Sequence, residues 1–195
     1  MRDASPPQAE ARPQEPNIIR NEAYFGLVFV IILVMDEIRL ASNDDKRQLS
    51  AIEADADRLF KTAGVNDLPS PASYEDFLAA KCILVAGRPV RGFARIEELD
   101  GNAHLEQLSV ELRYAGAGLG SRLLDEACEW AKSSGYSAIT LTTFKEVPWN
   151  GPFYKKHGFV VVDKLSEPLH LLLEHEKTLG LDKIGERIIM QRSLN

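Results

Sequence analysis

The chain has 195 residues, 45% of them hydrophobic and 27% charged, which suits one globular domain with a sizeable core. Its formal net charge of −6 leaves no basic excess to neutralise phosphates, which argues against a nucleic-acid binder and is compatible with a cationic partner such as an amine. Residues 1–22, rich in Pro, Ala, Gln and charge, read as a disordered extension. The run Tyr24–Met35 (YFGLVFVIILVM) is continuously apolar but has twelve residues, where a bilayer span needs about 20. The DEIRLAS that follows has no small-x-small cleavage signal, so no secretory leader is expected. Two readings stand. The run is an extra strand or a peripheral contact, or Met35 is the true start and residues 1–34 come from a misassigned one. The second is favoured, because MDEIRLAS is a natural opening for a first strand. The folded domain is therefore expected over 35–195.

Ile38–Ala41 reads as a short strand. Ser42 and Asn43 are N-cap types, and Asp44 and Asp45 favour a first helical turn. Leu49, Ile52, Ala56, Leu59 and Phe60 then recur at helical spacing up to Gly64. Pro69 and Pro71 mark a loop, and Tyr74–Lys81 a short helix. A meander follows: a buried strand Cys82–Ala86, a turn at Gly87-Arg88, a second strand Pro89–Glu98, a hairpin at Asp100-Gly101 and a third strand Ala103–Leu112. The apolar phase changes between Leu105 and Leu108, which implies a β-bulge. Leu119, Leu123, Leu124, Ala127, Cys128 and Ala131 share one helical face, closed by Gly135. Ala138–Phe144 is a strand, Pro148–His157 a short helix stopped by Gly158, Phe159–Val162 a strand, Leu169–Thr178 a helix, and GERIIMQRSL the last strand. Cys82 and Cys128 each sit in an apolar run and read as buried thiols of a reducing compartment, hence a cytoplasmic protein. The sum is one α/β domain with a largely antiparallel sheet and a β–loop–α–β unit at its centre.

That central loop, RYAGAGLGSRLL (Arg113–Leu124), places Gly116, Gly118 and Gly120 between a strand and a helix. Unpaired N–H groups and the helix macrodipole make such a junction an anion site, and glycines let the anion come close. No Lys-Ser/Thr follows, so it is not a P-loop, and the preceding strand belongs to a meander, so it is a poor dinucleotide fingerprint.

VELRYAGAGLGSRLL resembles motif A of the GNAT acetyltransferases, whose R/Q-x-x-G-x-G/A loop binds the pyrophosphate of acetyl-coenzyme A. WNGPFYKKHGF (Trp149–Phe159) resembles motif B, and the order of elements from Ile38 onward resembles the GNAT fold over roughly 155 residues. The resemblance implies a mixed, mostly antiparallel sheet with helices on both faces. It implies acetyl transfer from acetyl-CoA to a primary amine of a small molecule or peptide, by direct attack and without a covalent enzyme intermediate; the competing expectation is a non-catalytic acyl-CoA-binding or sensing domain. No metal is required, no nucleic acid or membrane span is expected, and a homodimer is compatible with the chain.

Site residues follow from the same resemblance. Arg113, Gly116, Ala117, Gly118, Leu119, Gly120 and Ser121 form the phosphate loop, with Arg122 as a further source of charge. Ala115 and Ala117 stand where the family often has Arg or Lys, so backbone N–H groups would carry the phosphate. Leu108, Ser109 and Val110 would offer backbone groups to the pantetheine arm, and Asn150 would contact that arm or the catalytic water. Tyr154 would protonate the departing thiolate. Glu106 is the candidate base, directly or through water, with the alternative that it faces solvent or only anchors the ammonium. Glu111 and His104 are second choices. Trp149 either lines the acyl or acceptor pocket or simply packs. His157, Lys155 and Lys156, at a helix C-terminus, read as structural.

Overall fold

A computed structural model describes residues 37–195 apart from Ala63, Asn66 and Asp67. The expected N-terminal extension, the apolar run and the question of the start residue all lie outside the described residues. A seven-stranded sheet runs in the order β1-β2-β3-β4-β5-β7-β6, with β1 Ile38–Leu40, β2 Cys82–Ala86, β3 Gly92–Leu99, β4 Asn102–Val110, β5 Ala138–Phe144, β6 Val160–Val161 and β7 Arg187–Ser193. All neighbours are antiparallel except β4 and β5, which are the two arms of a strand–helix–strand crossover. Helices α1 (Asn43–Lys61), α2 (Tyr74–Ala79), α3 (Leu119–Ser133), α4 (Gly151–Lys156) and α5 (Glu167–Thr178) complete the order. Among the described residues no helix is long and apolar enough to cross a membrane.

The local signals act as expected. Ser42 and Ser73 cap α1 and α2, each within a capping box closed by Asp45 and Asp76. Asp45 also receives both Arg39 guanidinium nitrogens at 2.6 and 2.8 Å, which ties β1 to the start of α1 and holds that carboxyl well below the usual carboxylate range. Asp100 and Gly101 both take positive φ, as the β3–β4 hairpin requires. Several expected boundaries move by one or two residues, as where the third strand ends at Val110 rather than Leu112 and the helix expected from Leu169 starts at Glu167, and two move by three. The second strand begins at Gly92 rather than Pro89, because residues 87–90 form a turn that Arg91 N–H closes onto the Ala86 carbonyl at 2.9 Å. The helix expected from Pro148 begins at Gly151, because Asn150 has non-helical φ −116 and ψ −109.

Each face of the sheet carries its own core. On one side Leu49 and Ile52 of α1 and Phe77 of α2 bury Ile83, Val85 and Phe93. On the other, the predicted apolar face of α3 covers Leu84, Ala94, Ile96, Leu105, Ile139 and Leu141, with Tyr154 and Phe159 at its edge. Both cysteines are buried and free, and burial pushes each thiol up to about 11.

Candidate functional site

The site begins at a break in the sheet. β4 and β5 pair only over Ala103–Leu105 with Ile139–Leu141, and then separate. The cause lies in β4. Arg95 pairs with Gln107 and Ile96 with Leu105, so Glu106 is the extra residue of a β-bulge, the irregularity implied by the phase change in the sequence. A bulge bends its strand and sharpens the local twist, which carries residues 107–110 away from β5. The Glu111 N–H donates to the Arg91 carbonyl at 2.9 Å, and ladder alternation then commits Ser109 and Gln107 to β3. The backbone groups of Leu108 and Val110 consequently point into the opening between the strands. The Ser109 side chain is buried and accepts a hydrogen bond from Gln107 Nε2 at 2.9 Å.

The open end of this wedge meets the glycine loop. Gly116 and Gly118 take φ of +76° and +83°, and Gly118 serves as the N-cap of α3 without any side-chain cap. The first intrahelical bond runs from Arg122 N–H to the Gly118 carbonyl at 3.1 Å, so the amides of Leu119, Gly120 and Ser121 precede it. No acidic residue occupies the first turn of α3, whereas α1 and α2 begin with two each. Gly120 is the informative glycine. Its φ is ordinary, and an added Cβ would meet only Val110 Cγ2, at 3.9 Å. Nothing in the fold itself therefore needs a bare α-carbon there. Arg113 sits at the rim, paired with Glu111 at 2.7 Å and stacked 4.9 Å over Tyr114.

On the α3 side of the wedge lies Tyr154, 8% exposed, with Phe153 and Phe159 rings at 5.2 and 5.8 Å. Burial raises its hydroxyl above the usual phenol range, so it stays protonated through neutral pH. Between α4 and the end of β5, the buried polar atoms Thr142 Oγ1, Thr143 Oγ1, Trp149 Nε1 and Asn150 Oδ1 have no partner in the protein. Thr142 and Thr143 are neighbours on β5 and face opposite sides of the sheet, so these atoms mark unpartnered polar spots on both faces of its end rather than one place. Trp149 also packs its ring on Phe60 of α1 at 5.7 Å.

The α1 side is charged. Glu106 is 43% exposed and stands 3.8 Å from Nε2 of His104, which is itself buried. Loss of water around Glu106 raises its carboxyl, and the same cause lowers the imidazole of His104 to about 4. Glu53 and Asp57 of α1 join them, pushed up by burial to about 7 and about 6. Arg95 pairs with Glu97 at 2.6 Å, and Arg187 with Glu176 at 2.6 and 2.9 Å. Arg187 acts electrostatically on Tyr154, His104 and Glu106 alike. Sequence reasoning missed Glu53, Asp57, Glu176 and Arg187. The only available signal was acidic residues four apart on α1, which elsewhere form a solvated face. Ionised Glu53 disfavours the folded state, so Glu53→Gln is expected to raise the melting temperature at pH 8. At pH 4, where the carboxyl is protonated in the folded state and mostly so in the unfolded one, the effect should largely vanish.

The family model "Acetyltransferase (GNAT) domain" matches residues 79–161. Solved structures share the fold. PaiA N-acetyltransferase from Thermoplasma acidophilum, in complex with coenzyme A, is 20% identical with TM-score 0.59, covering 80% of this chain and 98% of that one. An acetyltransferase of the GNAT family from Staphylococcus aureus Mu50 is 17% identical with TM-score 0.61, covering 82% and 99%. The ribosomal-protein-S18-alanine N-acetyltransferase from Escherichia coli is 16% identical with TM-score 0.60, covering 83% and 95%.

Proposed function

We propose that this chain, whose residues 79–161 match the acetyltransferase (GNAT) domain, transfers the acetyl group of acetyl-CoA to a primary amine of a small molecule or peptide by direct attack. The observation that carries this reading is the wedge between β4 and β5, ending on an α3 N-terminus that no side chain caps and no acid occupies. The backbone amides of the loop and first turn, chiefly Leu119, Gly120 and Ser121, would hold the pyrophosphate, with Arg113 adding charge from the rim; the Ala117 N–H already donates to the Tyr114 carbonyl at 3.4 Å and would have to exchange that bond. Leu108 and Val110, with Ser109 between them, would offer the pantetheine amides a strand edge, and Asn150 Oδ1 would accept from that arm.

Glu106 would take the proton of the acceptor ammonium, freeing the nitrogen pair for attack, while Tyr154 would deliver a proton to the departing sulfur. Their environments suit these roles: a carboxyl raised by loss of water is a stronger base than a free one, and a buried phenol keeps its proton. Glu53 and Asp57 add negative charge on the side from which a cationic acceptor would enter.

Acetyl-CoA should raise the melting temperature, and an amine panel read by free-thiol release should identify the acceptor. Absence of a thermal shift would refute the reading. A shift without thiol release from any amine would instead indicate an acyl-CoA-binding domain. In an active pair, the rate should rise with pH through a limb above the ordinary carboxylate range, and Glu106→Gln should abolish that limb.

A further inference from the structure

His104 is 3% exposed, so its ring nitrogens face protein groups rather than bulk water. Its Nδ1 lies 2.9 Å from Thr140 Oγ1, and that hydroxyl donates to the Ala103 carbonyl at 3.3 Å. A hydroxyl has one proton. With it given to Ala103, the oxygen accepts from the ring, Nδ1 carries the hydrogen, and Nε2 keeps its lone pair. That lone pair faces Glu106 Oε2 at 3.8 Å. Two acceptors face each other, an arrangement that becomes favourable when a proton lies between them.

The surrounding charges leave this role to the ring. Glu53 and Asp57 come from α1, Arg95 and Glu97 from β3, Glu176 from α5 and Arg187 from β7. Both arginines are already paired, Arg95 with Glu97 and Arg187 with Glu176. Among the described residues, Glu106 therefore has carboxylates around it, and the two arginines that act on it are each paired with another carboxylate.

We propose that His104 is the positioning residue for Glu106, a ring locked as the Nδ1–H tautomer by Thr140 that offers its Nε2 lone pair to the carboxyl of Glu106 when that carboxyl takes up a proton. The proposal rests on Glu106 as the base. The ammonium N–H bond breaks, the Oε2–H bond forms, and the new hydroxyl turns toward Nε2, which closes the 3.8 Å gap by rotation of the half-exposed Glu106 side chain. His104 does not touch the acceptor. It makes protonated Glu106 cheaper and so makes the carboxylate a stronger base.

The test uses the full chain without acetyl-CoA or acceptor, so its outcome is independent of whether acetyl transfer occurs. Ring 15N spectra should show Nδ1 protonated and Nε2 as an acceptor. His104→Asn retains an amide at the Nδ1 position and removes Nε2. The Glu106 carboxyl, followed by 13C, should then titrate at lower pH than in the parent, and His104→Gln, which restores a polar atom near Nε2, should recover part of the shift. An Nε2–H tautomer in the parent, or identical Glu106 titrations in parent and His104→Asn, overturns the proposal. Should His104→Asn fail to fold, Thr140→Val decides: release of the lock should let the Nε2–H tautomer appear, and a ring that stays wholly Nδ1–H overturns the assignment.

Discussion

Tyr154→Phe is expected to lower kcat by about 100-fold or more, the usual yield of a positioned general acid, while acetyl-CoA binding stays within about twofold. The structure separates these effects. The ring belongs to the core beneath α3, where Phe153 and Phe159 hold it edge-on, and phenylalanine keeps all of that packing. Only the hydroxyl is lost, so folding stability should be unchanged. Because burial raises that hydroxyl above the ordinary phenol range, the acid is fully protonated throughout the working pH range, and no alkaline limb should be assignable to it below pH 10 in the parent. Steady-state kinetics with an acceptor found by thiol release, alongside calorimetric titration of acetyl-CoA, measures both quantities. An unchanged kcat would transfer the acid role away from Tyr154.

The second prediction has opposite signs for folding and binding. Gly120→Ala should stabilise the protein by about 0.5–1 kcal/mol, because glycine in a helix costs that much relative to alanine. The site presents no obstacle, since φ is ordinary and the new methyl would touch only Val110 Cγ2 at 3.9 Å. Coenzyme A binding should nevertheless weaken by about 10-fold or more, an increment of about 1.4 kcal/mol, because the methyl would occupy the space over the first-turn amides. Gly116→Ala and Gly118→Ala provide the contrast. Their φ values of +76° and +83° make alanine strained, so both should lose stability as well as affinity. Denaturant unfolding paired with calorimetry separates the two classes. Retained affinity in Gly120→Ala would show that no ligand approaches this turn, which would remove the phosphate site.

Much of this fold could be read locally. The capping serines, the six-residue apolar face of α3, the Asp100-Gly101 hairpin and the strand Ala138–Phe144 stand where their side chains predict. Even the bulge was legible, since a period-2 pattern that slips phase must shed one residue; the structure identifies that residue as Glu106. The weakest boundaries, Pro89 and Pro148, were turns whose ends depend on which carbonyl the next amide finds.

What the amino-acid sequence determined by itself is therefore the set of elements and the glycine-rich, uncapped start of α3. These depend on neighbours a few positions apart, through periodicity, capping and backbone freedom. The tertiary structure alone decided that β4 parts from β5 after Leu105, that Ser109 is committed to β3 while Leu108 and Val110 are not, and that Glu53 of α1 comes within electrostatic reach of both Asp57 and Glu106. It likewise set His104 against Thr140, 36 residues away, and brought Arg187 near Tyr154 and Glu106. Such juxtapositions follow from strand order and register, which minimise the free energy of the whole sheet and leave no mark in any short window of the chain.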